Sequence, residues 1–270
     1  MTITNRFPFA ATAAASAALV AFAAPAIAAP AVALTGDRTL VLFETDTATV
    51  SGMVEVSGVD SLLGLDYRPA TGQLIGVSAD HRIVEIDATS GETTDLSSMD
   101  TMLPLTDDMQ VVVDFNPAAD RLRFMTGTTN HRVNVDTGEV IVDGSLAFVT
   151  DDSNASAEPM VAAAAYINSF GKPDSTAMFN IDTGLSALIQ QTAPNDGTLA
   201  TIGTLGAEID GMVAFDVQST EDGTNTAWLV ANGALHTVDL DTGMVSQSWE
   251  FTGLDGVSGD IRDLTILPAM

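Results

Sequence analysis

Beyond residue 30 the chain is written in alternation. Stretches such as "TVSGMVEV" (49–56), "RLRF" (121–124) and "HRVNVD" (131–136) put an apolar residue at nearly every second position. That is the period at which side chains alternate between the two faces of a strand. Clusters of Gly, Pro, Asn and Asp interrupt these stretches at short intervals, as turns between strands require. No run of useful length keeps a helical period after the first thirty residues. The pattern predicts an all-β chain of many short strands.

The strands recur as a unit. "LLGLDYRPATGQLIGVSADHRIVEIDATSGETTDL" (62–96) aligns with "VVVDFNPAADRLRFMTGTTNHRVNVDTGEVIVD" (111–143). Each reads as an apolar strand ending Asp-aromatic, a Pro turn, an alternating strand, a polar turn, a second alternating strand, a Gly turn and a last strand. Residues 162–191 and 212–249 follow the same plan. The copies are spaced by roughly 45–55 residues, an interval typical of blade-type repeats. A fifth copy is split: residues 31–56 supply three strands and lack the first, and "IRDLTILP" (261–268) supplies a first strand and stops. Joining them closes a ring and removes the exposed sheet edges an open array would leave. The predicted fold is a five-bladed β-propeller, closed by pairing of the C-terminal strand with the N-terminal blade. The alternative is a pair of β-sandwiches.

Asp-Thr-Gly, the tripeptide of aspartic proteases, occurs at Asp136–Gly138, Asp182–Gly184 and Asp241–Gly243. Such a protease shares one proton between two carboxylates on facing loops. Here the tripeptide occurs three times, at the repeat interval, followed by Glu139, Leu185 and Met244. It is read as the turn between the third and fourth strands, with Asp accepting backbone hydrogen bonds and Gly taking the positive φ. "DATSGE" (87–92) is aligned to the same turn with two residues inserted.

The amino terminus changes the picture of location. After Arg6 comes an alanine-rich apolar run ending in Ala26 and Ala28, which fit the −3 and −1 positions of a signal-peptidase site. Residues 1–28 are therefore expected to be a signal peptide and 29–270 a single domain in the periplasm or outside the cell. Pro25 and Pro30 break the run, against a spanning helix. No cysteine is present, which excludes disulfide stapling, thiol catalysis and a lipid-anchored lipoprotein. The formal net charge of −27 disfavours nucleic acid and anionic membranes.

Candidate chemistry is sparse. His131 and His236 precede an Asp-Thr-Gly aspartate by five residues and His81 precedes Asp87 by six, so all three are expected where the second strand turns into the third. Zinc would need their nitrogens ~2 Å from one ion, which separate blades do not allow. Arg38, Arg82 and Arg132 fall in or beside the same turns. The simple expectation is that each pairs with a nearby carboxylate. The functional one is a ligand-binding set of His81, Arg82, Asn130, His131 and Arg132, gripping an anionic or sugar-like molecule with bidentate arginine donors. Asp66, Asp114, Asp216 and Asp263 end first strands, which line a propeller's axis. They form a candidate calcium site, since calcium wants 6–8 oxygens, or else accept backbone N–H groups where the next turn begins. Ala165 takes the aspartate's place in the remaining unit. The loops 97–109, 149–160 and 192–210 are expected on the face carrying His81 and His131, where a rigid scaffold can position binding residues. No Ser-His-Asp order, phosphate loop or dinucleotide fingerprint is present.

Several motifs are familiar together: "GLDYRPATGQL", "VDFNPAADRLRF", "NVDTG", "DGSLAF" (143–148), "AAYINS" (164–169) and "PNDGTLATIGTLG" (194–206). Over roughly Val32 to Leu267 the chain resembles the secreted bacterial family catalogued as domain of unknown function forty-three ninety-four. The resemblance implies an exported, propeller-like protein and carries no activity or catalytic residues across. The expected function is non-enzymatic binding of a small molecule, glycan or protein on the long-loop face. The alternative is a calcium-dependent hydrolase or lyase of an extracellular polymer using Asp114, Asp196 or Asp216.

Overall fold

The computed structural model describes residues 28–106, 110–255, 257 and 259–268, so the predicted signal peptide, save Ala28, lies outside the described residues. Blade I begins with β1 (Pro30–Thr35), β2 (Thr39–Glu44) and β3 (Thr49–Glu55). Blade II holds β4 (Leu62–Arg68), β5 (Gln73–Ser78), β6 (Arg82–Ile86) and β7 (Thr93–Ser98). Blade III holds β8 (Val112–Asn116), β9 (Arg121–Thr126), β10 (Thr129–Val133) and β11 (Val140–Val142). After the short β12 (Ala147–Phe148), blade IV holds β13 (Val161–Tyr166), β14 (Met178–Asp182), β15 (Ala187–Ala193) and β16 (Thr198–Thr204). Blade V holds β17 (Ala214–Ser219), β18 (Asn225–Ala231), β19 (Ala234–Val238) and β20 (Val245–Glu250). Finally β21 (Ile261–Ile266) returns to blade I as its innermost strand.

The ring closes as the split repeat predicts. β21 pairs antiparallel with β1, setting Ile266 opposite Ala31 and Leu264 opposite Ala33. The innermost strands touch in sequence around the axis, β21 to β4, β4 to β8, β8 to β13, β13 to β17 and β17 to β21. Alternation then sorts the side chains between blades. In β1, Ala31 and Ala33 pack toward blade V while Val32 and Leu34 pack toward blade II. Each of the five apolar clusters lies between two neighbouring blades. The fourth strands are half-exposed, as in β3 and β20, so burial declines from axis to rim.

The turns refine the repeat alignment. Asp87–Gly91, Asn134–Gly138 and Asp239–Gly243 are the same five-residue turn between third and fourth strands, with no insertion in the first. In each, the glycine N–H donates to the carbonyl of the first residue, at 2.8 Å. The side chain of that first residue, not of the Asp-Thr-Gly aspartate, accepts the N–H groups inside the turn. The closing glycines adopt φ of 74°, 76° and 79°. Asp182-Thr183-Gly184 breaks the pattern: it joins β14 to β15, the second and third strands of blade IV. There Asp182 accepts from Met160 and Leu185, and the positive φ passes to Ser186. Blade IV's own third-to-fourth turn is Pro194–Gly197, so residues 198–204, expected inside a loop, form β16. Their outer edge takes β12 as a parallel fifth strand.

Deleting residues 261–270 tests the closure. It removes Ile261, Leu264 and Ile266, all buried in the cluster between blades V and I. At about 2 kcal/mol each, the loss rivals a whole domain's margin of roughly 5–15 kcal/mol. The truncated chain is expected to lose its cooperative melt by circular dichroism and to regain it on addition of a peptide spanning 259–268.

Candidate functional site

The axis gathers the first-strand aspartates. Asp66, Asp114, Asp216 and Asp263 end up buried on β4, β8, β17 and β21. Carboxylate oxygens of Asp66, Asp114 and Asp216 lie within 4.8 Å of one another; Asp263 stands outside that trio. Each carboxylate also crosses to the next blade. Asp263 accepts the N–H of Leu65 at 2.7 Å, Asp66 that of Phe115 at 2.7 Å, Asp114 that of Tyr166 at 3.0 Å and Asp216 that of Ile266 at 2.6 Å. Asp66 further accepts from Tyr67 and the Thr265 hydroxyl. Gly64 allows the first of these contacts, since a Cβ there would stand 2.5 Å from the Asp263 carboxylate. Ala165 breaks the series at the junction of blades IV and V.

Burial, and then repulsion among like charges, sets the protonation of this group. Asp66 and Asp114 are pushed well above the usual carboxylate range, first by desolvation and then by their neighbours on the axis. Desolvation pushes Asp216 up to about 6 and Asp263 up to about 8.

The five residues predicted to bind ligand do not converge. His81 sits in the β5–β6 turn at φ 62°, while His131 and His236 are the third residues of β10 and β19 rather than turn residues. His81 and His131 are buried between blades II and III, where His81 stacks edge-on against Phe124 and its Nε2 accepts the Leu103 N–H at 3.2 Å. Burial lowers the pKa of both rings, and His81 lowers that of His131 further. Asn130 faces blade IV, bonded to Arg123 and to the carbonyls of Gly144 and Pro194. Arg132 grips Asp143 with two nitrogens, and Arg82 pairs with Asp80 and Asp95. The other arginines among the described residues are engaged likewise. Arg38 pairs with Glu55, Arg68 with Asp120 and Asp136, and Arg123 with Asp143. Arg121 and Arg262 donate to backbone carbonyls.

What the loop face does offer is a cavity of about 920 Å³ at the axial mouth. It is bounded by the β9–β10 and β14–β15 turns and by the loops entering β8, β13, β17 and β21. Thr128, Glu158, Met160, Met212 and Asp260 line it, with Gln110 held to both the N–H and the carbonyl of Val213. The sequence carried a signal for it that the reading above missed. An acid and a methionine recur just before first strands, in "EPMV" (158–161) and "DGMV" (210–213). On the opposite face a cavity of about 310 Å³ reaches Asp66 and Asp216 from beside Phe170, Glu221 and Pro268.

A carboxyl that holds its proton in the folded chain, after the unfolded chain has released its own, contributes stability that is complete below pH ~4 and lost as pH rises through the folded pKa. The buried histidines act oppositely, costing stability below pH ~6.5, so the acid side of neutrality is mixed. From pH 7 to pH 9 Asp263, with its pKa near 8, is in transit. The melting temperature is expected to fall across that interval by about 3 °C or more, and Asp263→Asn to show a smaller fall. Equal slopes in both proteins count against a protonated Asp263.

The fold has distant likenesses. A structural genomics protein of unknown function from Bacteroides thetaiotaomicron VPI-5482 superposes with a TM-score of 0.51 at 17% identity, covering 88% of this chain and 66% of that one. A luciferin-regenerating enzyme gives 0.46 at 12%, covering 83% and 76%. An auxiliary nutrient binding protein, also from Bacteroides thetaiotaomicron VPI-5482, gives 0.44 at 11%, covering 79% and 58%. At these identities the likeness concerns the fold alone. No curated protein matches the chain by sequence. Residues 39–265 match the family described as Domain of unknown function (DUF4394), and the chain belongs to that family.

Proposed function

We propose that this protein is an exported, non-enzymatic binding propeller whose ligand seats in the loop-face cavity. The observation that carries the reading is the cavity itself: about 920 Å³ at the mouth of the axis, walled by turns and loops of four blades. That volume falls in the range of small-molecule sites, which are concave, largely apolar and preformed. The ring supplies rigidity and the loops supply the contacts. Export rests on the amino-terminal sequence. The test is a binding screen of metabolites and oligosaccharides on the chain from Ala29 onward, with Thr128→Trp filling the cavity. Hits are expected to lose affinity at least tenfold in that variant; hits indifferent to it would move the site elsewhere.

A second reading would place a divalent cation serving a hydrolase or lyase on the axial trio, whose carboxylate oxygens lie within 4.8 Å of one another. Five of the six carboxylate oxygens of Asp66, Asp114 and Asp216 already accept an N–H or O–H from the protein. Calcium needs 6–8 oxygens, and the trio's chief task is then to join blades. Asp196 sits in the β15–β16 turn, against Gly144, away from the axial pair Asp114 and Asp216. The melting temperature at pH 7.5 is accordingly expected to be the same in chelator and in millimolar calcium. A rise of several degrees with calcium would overturn this account of the axis.

A further inference from the structure

Resting on the loop-face reading, we infer that the ligand class is a compact cation with an apolar body, such as a protonated arylalkylamine. Three observations on this molecule converge. First, among the described residues the cavity's ionisable lining is Glu158 and Asp260, both exposed and neither in an ion pair, and no described lysine, arginine or histidine borders it. Second, every arginine from Arg38 to Arg262 is already bonded to a carboxylate or to backbone carbonyls, as set out above. The remaining lysine, Lys172, is exposed in the β13–β14 connection, on the opposite face. Thus, among the described residues, no cation on the loop face lacks a carboxylate or carbonyl partner, and the charged side chains lining the mouth are all acidic. A cleft lined by one sign of charge focuses its field and concentrates counter-ions.

Third, the remaining wall is apolar and adaptable. Met160 and Met212 stand at the mouth with relative exposures of 57% and 39%, large values for methionine side chains facing water. Pro104, Pro159 and Val161 continue the same surface. Thioether side chains are flexible and polarisable, and mould to apolar bodies of varied outline. Acid beside methionine gives each ligand end a partner: carboxylates for the ammonium, methionines for the ring. Among the described lining residues a sugar would find no aromatic ring to stack on, and an anion would find no positively charged side chain.

The test uses three molecules of nearly one shape on the chain from Ala29 onward: tryptamine as cation, tryptophol as neutral analogue and indole-3-propionate as anion. Calorimetry is expected to show binding in the order cation, neutral, anion, weakening for the cation alone as salt is raised. Glu158→Gln and Asp260→Asn should each lower tryptamine affinity by about fivefold, the effect of one charge near 4 Å in a watery site. Both should leave tryptophol unchanged. Thr128→Trp should lower affinity for all binders. Tryptophol or indole-3-propionate binding as well as tryptamine, with loss only in Thr128→Trp, overturns the ligand class and leaves the loop-face site standing. Tryptamine binding that survives Thr128→Trp overturns the site as well. Absence of tryptamine binding at millimolar concentration overturns the ligand class by itself, and the broader screen with the same variant then judges the site.

Discussion

A propeller's weakest structural point is its axis. The innermost strand of each blade has a ladder on one side only, and its other edge faces four equivalent edges across a narrow channel. Buried N–H groups there need acceptors, and no further strand fits. In this chain aspartates supply them. Carboxylates of Asp263, Asp66, Asp114 and Asp216 each reach the backbone of the next blade, so that one side chain ends one edge and joins it to its neighbour. Burial of these four acids, and then like-charge repulsion at Asp66, Asp114 and Asp263, holds their protons on above the usual carboxylate range. The same residues therefore provide closure and carry an electrostatic liability.

The outer layers follow from simpler rules. Strict alternation gives each strand two apolar faces near the axis, and each face meets a different neighbour. Phe124 and Val133 pack against blade II, while Val112 and Met125 pack against blade IV. Arg68, at the end of the innermost strand of blade II, clamps Asp120 and Asp136 of blade III with four short contacts. The segment 143–149 crosses from blade III to blade IV as a strap, bonding to Asn130 and Thr128 on one side and to Asn195, Gly197 and Leu199 on the other. The motifs "DGSLAF" and "PNDG" are the two halves of that seam, and Gly144 and Gly197 let the backbones meet, since a Cβ on either would stand 2.3 Å from a carbonyl oxygen of the other segment.

Architecture was largely legible in the sequence, because period, turn residues and the split repeat all report backbone geometry directly. The errors arose where one symbol serves two geometries. Asp-Thr-Gly makes a second-to-third turn in blade IV because the long 167–177 connection displaces the register, and "TLATIGT" looks like loop though it is an outer strand. The site was less legible. Adjacent side chains on β10, such as Asn130 and His131, look like one patch in sequence yet face different blades, Asn130 toward blade IV and His131 toward His81 of blade II. The arginines could not be read as available or engaged, because an acid stands near almost every one of them. The cavity left only the recurring acid and methionine before first strands.

All five apolar clusters lie in the seams and none inside a sheet. A single blade lifted out would thus carry two bare faces and no interior. Such a molecule has no smaller part able to stand by itself. It opens, if it opens, as a whole circle, and any partner bound at its mouth braces every seam it spans against that event.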